Sequence, residues 1–276
     1  MASPIQPKEA PGNRRLGAAF IIYTVMLIKQ IVIWFLYYRS LGYSDVTLGI
    51  SQAVTLVLGI LFVIMFGLNF YRIGAGGRAL IEGVAAIVAV YIVFFLVVVV
   101  ARTAGGSAPL FRAEYSLWAF ASNWILTGVA EELLFAGLIF SLLCLYPKEH
   151  QTLGREWTTV LAVAALFALW HTPGYIAIGL GADTLSWGIF GSLGLNLISW
   201  LFFGVIYLVS GNLWLTAFIH GSTDYAVLPA IVDRPALGVV FMLLGVVAAL
   251  LLRRLVGHPA ARADSGVTTK QAARPV

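Results

Sequence analysis

From Leu16 to Val256 the chain is a succession of apolar runs, separated by short polar breaks. A membrane-crossing helix needs about 20 mostly apolar residues. Within lipid, backbone groups can be satisfied only inside helices or closed barrels. Runs of sufficient length fall at 16–38, 47–70, 79–101, 115–146, 158–179, 189–210, 212–231 and 236–256. The sequence therefore predicts an all-α fold, a polytopic transmembrane helix bundle of about eight spans. Composition argues against a soluble domain. Hydrophobic residues make up 61% of the chain and charged residues 11%, whereas a soluble domain carries roughly 25% charged residues to cover its wetted surface. The fourth run is long enough to tilt or to extend beyond the bilayer. The seventh is the weakest, because it contains His220 and Asp224.

Three regions follow: a polar tail over 1–15, a transmembrane domain over 16–256, and a disordered tail over 257–276 that contains His258. The first run is too long for the apolar core of a signal peptide and no small-residue cleavage site follows it, which predicts an uncleaved signal anchor. The net charge of +5 is concentrated in the tails, with Lys8, Arg14 and Arg15 before the first run and Arg253, Arg254, Arg262, Lys270 and Arg274 after the last. Loop charges are balanced, Arg72, Arg78, Lys148 and Arg155 on the side of the termini against Arg39, Arg102, Arg112 and Arg234 opposite. The tails break the tie and place both termini in the cytoplasm. Nucleic acid is excluded as a partner, since no basic face with interleaved aromatics exists. The basic residues suit anionic headgroups of the lipid bilayer. Cys144 stands alone, so no intrachain disulfide and no cysteine-based metal cluster can form.

The ionisable residues inside the runs are Lys29, Glu131, Glu132, His171, His220 and Asp224. Each is costly at bilayer depth, which makes it a functional-site candidate by default. Glu131 and Glu132 point about 100° apart on a helix, so one faces the bundle interior while the other turns to a neighbour. Two adjacent carboxyls withdrawn from water are expected to share a proton, as a general acid or base requires. The bland alternative is a pair of interhelical hydrogen bonds. His171 shares a face with Phe167 and precedes Pro173 and Gly174, which can kink the helix and free carbonyls. His220 and Asp224, four apart, also share a face, so Asp224 can fix the imidazole tautomer or simply form a helix-stabilising pair. Lys29 is placed to act as a buried counter-ion for the glutamates. Asn123, Asn196 and Trp170 are read as interhelical hydrogen-bonding residues.

Taken in order, Glu-Glu in one span, Phe-x-x-x-His in the next and His-x-x-x-Asp two spans on, with Asn212-Leu-Trp-Leu before the last histidine, resemble the CAAX-protease and bacteriocin-processing (CPBP) family of intramembrane endopeptidases. The resemblance covers about residues 127–224 and implies a function: hydrolysis of a peptide bond in a membrane-associated peptide or protein substrate, in the bacterial cell membrane. It implies Glu131 as the general base on water, with His171 holding that water. Glu132 would orient the first glutamate or the motif's arginine, and His220 with Asp224 would stabilise the oxyanion. A divalent metal such as Zn2+ can be held by Glu131, His171 and His220 with one position left for water; a metal-free glutamate mechanism is equally open.

One departure stands out. The family's Glu-Glu-x-x-x-Arg reads Ala136 at the arginine, so Glu132 is expected either to hold its proton more tightly or to borrow another cation, such as Lys29. Two further functions remain in view. One is a catalytically degenerate scaffold or immunity-type protein, and the other is a small proton-coupled transporter using Glu131 or Asp224.

Overall fold

The computed structural model describes residues 12–38, 44–104, 110–112, 114–144, 152–179 and 185–256. The expected tail over 257–276, and all of the N-terminal tail except its last residues, lie outside them. Among the described residues all regular structure is helical: α1 (Gly12–Val32, continued by a π-helical turn over Ile33–Tyr38), α2 (Asp45–Met65), α3 (Gly77–Thr103), α4 (Leu117–Cys144), α5 (Leu153–Gly179), α6 (Leu185–Ser210), α7 (Leu213–Asp224), α8 (Ala230–Asp233) and α9 (Pro235–Val256). The protein is a multi-pass membrane protein, with seven of these helices long and apolar enough to cross a bilayer.

The seventh expected span, 212–231, is instead α7, only 12 residues long, followed by an irregular stretch and the single turn α8. Its direction explains why the chain still reaches the far end of the bundle. Along α3, Gly83 packs on Trp214 and Leu215, and the Tyr91 hydroxyl lies 2.8 Å from Ser222 Oγ, so α7 runs parallel to α3. Phe241 packs on Tyr91 and Phe94, while Gly245 packs on Ile219, so α9 runs back against α7. A full-length helix is unnecessary because protein, rather than lipid, surrounds this segment: all of Leu215–Ser222 is buried. On the other flank α1 runs parallel to α5, with Tyr23 beside Leu166, Met26 beside Trp170 and Trp34 beside Gly174. Both α5 and α7 run against α4, so Gly12 and Val256 fall at the same end of the bundle.

α4 is the centre of the structure. In its most apolar stretch 83% of residues are buried, against 22–44% for the other six spans. The outer helices turn residues such as Ile81, Val88, Leu96 and Leu243 outward, as lipid-facing surfaces require. α4 is α-helical over Gly128–Glu132 but widens into π-helix on both sides, over Phe120–Thr127 and Leu133–Phe140. Thr127 and Ser141 donate their hydroxyls to the carbonyls five residues back, Ser122 and Ala136, which helps satisfy the wider turns. Such π segments concentrate at functional sites.

The start of α7 is pinned from two directions. Asn212 Oδ1 accepts from Leu215 N at 2.9 Å as the N-cap, and its amide donates to Ala79 O at 2.9 Å. Gly74, at φ +70°, lets its backbone approach Gly211 so closely that any Cβ would collide with the Gly211 carbonyl. Leu213 N donates to Gly74 O at 3.2 Å across this contact.

Candidate active site

Polar residues of six helices line one cavity of about 360 Å³. It runs from Glu131 toward the end of the bundle where α7 terminates, and Asp224, at 32% side-chain exposure, marks its more open part. Glu131 and Glu132 come from the central α-helical segment of α4, His171 from α5, and His220 and Asp224 from α7. The crossing of α4 and α7 is made by glycines. A Cβ on Gly128 would meet the Ala217 carbonyl, and one on Gly221 would meet the Trp124 carbonyl. That close approach brings Glu132 against His220.

Glu131 is 3% exposed and its two oxygens have different surroundings. Oε1 accepts from Gln52 Nε2 of α2 at 2.7 Å. Oε2 has no hydrogen-bond partner and faces two imidazoles, His171 Nε2 at 3.8 Å and His220 Nε2 at 3.7 Å. These separations are too long for direct hydrogen bonds and suit a small molecule between the groups.

Each histidine is fixed from its other nitrogen. His171 Nδ1 lies 2.9 Å from the Phe167 carbonyl, one turn back, so it carries the proton there and leaves Nε2 toward Glu131. Its ring also contacts that of Phe167, with centroids 4.5 Å apart. The helix continues through Pro173 to Gly179. His220 Nδ1 lies 2.8 Å from Glu132 Oε1, and Phe203 stacks on the ring at 4.5 Å. Its Nε2 is 3.4 Å from Asp224 Oδ2.

The structure thus brings together all five expected residues and rearranges one relationship. Glu132 pairs with His220, neither orienting Glu131 nor drawing on Lys29. With Ala136 fully buried where the motif has arginine, one Glu132 oxygen is bonded to the imidazole and the other is without a partner. Lys29 is also not the direct counter-ion of the glutamates: its Nζ donates to Gln30 Oε1 at 3.0 Å, Ser51 Oγ at 2.8 Å and Thr55 Oγ1 at 2.7 Å. Asn196 donates to the Tyr175 hydroxyl at 2.6 Å, Asn123 to Asp45 at 3.2 Å and Trp170 to the Met26 carbonyl at 3.4 Å, all interhelical as expected.

Sequence reasoning missed Gln52. Its signal was present, since Ser51, Gln52 and Thr55 interrupt an otherwise apolar run, but they are neutral and no charge drew attention to them.

Among the described residues no three His, Cys, Asp or Glu side chains are arranged to hold a metal ion. His220 is committed through Nδ1 to Glu132 at 2.8 Å, and its Nε2 faces Glu131 and Asp224 at 3.7 and 3.4 Å.

Residues 113–226 match the family model Rce1-like, described as type II CAAX prenyl endopeptidase Rce1-like. No curated protein and no solved structure matches the chain. The matched segment contains Glu131, Glu132, His171, His220 and Asp224, and it agrees with the resemblance carried by the motifs. Over residues 113–226, a little over two fifths of its length, the chain is similar to the Rce1-like family of type II CAAX prenyl endopeptidases.

Proposed function

We propose that this chain is an intramembrane endopeptidase that hydrolyses a peptide bond of a membrane-associated peptide or protein, using a water activated by Glu131. The observation that carries the reading is the unpartnered Glu131 Oε2, held 3.8 Å from His171 Nε2 and 3.7 Å from His220 Nε2. A water placed between Glu131 Oε2 and His171 Nε2 donates a hydrogen to each. Gln52 occupies the other Glu131 oxygen and keeps the carboxylate aimed at that water. As the water oxygen attacks the substrate carbonyl, Glu131 takes its proton. Charge then develops on the carbonyl oxygen, and His220 Nε2–H is positioned to meet it. Glu132 at Nδ1 supports that imidazole as a donor, and Asp224 steadies the same ring from the Nε2 side. When the C–N bond breaks, Glu131 returns its proton to the leaving amine.

No step passes through a metal. The substrate reaches the cavity from within the bilayer, and both termini lie on the cytoplasmic side. The test uses a fluorogenic prenylated CAAX peptide, the substrate class named in the family's description. Glu131→Gln and His171→Ala are each expected to abolish cleavage while the protein still inserts and elutes as a folded species. Full cleavage by Glu131→Gln overturns the proposal and favours a scaffold. Proton-driven uptake that depends on Glu131, without cleavage, favours a transporter.

A further inference from the structure

The wall of the cavity opposite α7 has a different character from the rest of the site. It is formed by α1 and α2 and contains Gln30, Ser51 and Gln52 but no carboxylate of its own. Behind it lies Lys29, whose ammonium donates to Gln30 Oε1, Ser51 Oγ and Thr55 Oγ1, three neutral oxygens. The Trp170 ring, 5.8 Å away, covers it on another side. No carboxylate of the described residues is within ion-pairing distance of Lys29; Glu131 acts on its ammonium only from beyond that distance, so the cation has no direct anionic partner. Such a charge is costly unless something neutralises it.

The hydrogen-bond directions show where that anion belongs. Gln30 accepts from Lys29 through its carbonyl, which leaves the amide N–H groups of a cavity-lining residue uncommitted among the described residues. Ser51 accepts through Oγ, and its own hydroxyl hydrogen is likewise uncommitted. Each is a neutral donor polarised by the same cation, and both face the cavity. Two kinds of group therefore line the cavity, the carboxylates of Glu131 and Asp224 and, from α1 and α2, neutral donors backed by a cation. Ser51 adjoins Gln52, which holds Glu131, so this donor pair lies close to the reactive carboxylate.

We infer that Lys29, Gln30 and Ser51 form a carboxylate-binding subsite that receives the C-terminal carboxylate of the bound peptide. The carboxylate accepts from the Gln30 amide and the Ser51 hydroxyl, and Lys29 supplies the compensating charge from behind. The scissile bond is then set at Glu131 by the position of the chain terminus, which makes Lys29 a specificity-determining residue that acts through Gln30 and Ser51. This rests on the peptidase reading, but binding measures it separately from cleavage.

The experiment measures affinity in the cleavage-silent Glu131→Gln protein, using two prenylated peptides identical except for a free C-terminal acid or a carboxamide. The acid is expected to bind about tenfold or more tightly, as hydrogen bonds to a charged group allow. In Lys29→Met on the same background the ratio falls to about one while amide affinity stays unchanged, and Ser51→Ala lowers the ratio partway. A general packing defect would weaken both peptides together. Equal binding of acid and amide to the Glu131→Gln protein overturns the subsite, as does a ratio that survives both Lys29→Met and Ser51→Ala. If the ratio behaves as expected but the unaltered protein cleaves neither peptide, the subsite stands and the peptidase reading fails.

Discussion

Gly128→Ala tests whether the α4–α7 crossing sets the geometry of the site. The added Cβ would lie 3.0 Å from Gly221 N and 3.2 Å from Gly221 Cα, and would also meet the Ala217 carbonyl. Non-bonded carbon contacts settle at about 3.5–4.0 Å, so the helices must part by roughly 0.5–1 Å. Neither neighbour can yield by rotating a side chain, since both contacts are backbone. Gly128 lies one turn before Glu132 on α4, and Gly221 directly follows His220 on α7. The displacement therefore falls on the Glu132 Oε1 to His220 Nδ1 bond, now 2.8 Å. Lengthened by about 0.5–1 Å, it leaves the range of an N–H···O bond. Overpacking of this kind costs about 1–3 kcal/mol in stability, and a misplacement near 1 Å costs about 100-fold in rate. Cleavage of the prenylated peptide, normalised to the folded fraction from size exclusion, reads the rate. Gly17→Ala, whose added Cβ meets nothing within 4 Å, is the control and is expected to cleave normally. A folded Gly128→Ala protein with undiminished kcat/KM would show that this crossing does not position the catalytic groups.

Three further outcomes follow from the same contacts. Gln52→Ala leaves Glu131 Oε1 buried without its partner, which costs about 1–3 kcal/mol; thermal unfolding should shift downward and kcat should fall, and an unchanged melting curve contradicts the role given to that bond. Glu132→Ala strips His220 Nδ1 of its acceptor, so kcat should drop about tenfold or more with little change in KM; a change confined to KM would move Glu132 from positioning to substrate binding. Cleavage should persist in a strong chelator such as 1,10-phenanthroline, and loss that added Zn2+ restores would refute metal-free water activation.

Much of the site was legible because charge inside an apolar run is conspicuous. Glu131, Glu132, His171, His220 and Asp224 stand out against their neighbours, and the helical spacings Phe167–His171 and His220–Asp224 survive unchanged into the structure. Pairings between helices were less accessible. Lys29 was matched to the glutamates by charge alone, but a polar strip on α2 intervenes and takes all three of its bonds. Gln52 escaped because a neutral amide in a span has many uninformative uses. The short α7 escaped for a different reason. Hydropathy measures apolarity without distinguishing lipid contact from protein contact, and 212–231 is apolar because it is packed inside the bundle. The π-helical widening of α4 around Gly128–Glu132 has no counterpart in a hydrophobic pattern read at 3.6 residues per turn.

The loss of the motif arginine at Ala136 is the strongest reason to suspect a degenerate member, and the structure weakens it. An arginine at that position would compete with His220 for Glu132. Without it, one Glu132 oxygen is free to hold the imidazole at 2.8 Å, and Ala136 fills its place within a closely packed apolar wall. With alanine at 136, Glu132 is the partner of His220 Nδ1. A scaffold would gain nothing from keeping Glu131 Oε2 and Glu132 Oε2 buried and unpartnered, since each raises the free energy of the folded state. Strain of this kind persists where a site is kept ready for a ligand or a reacting group. An unsatisfied Glu131 oxygen beside two imidazoles is what the proposed water activation requires, and is the reverse of what drift toward a passive helix bundle would leave.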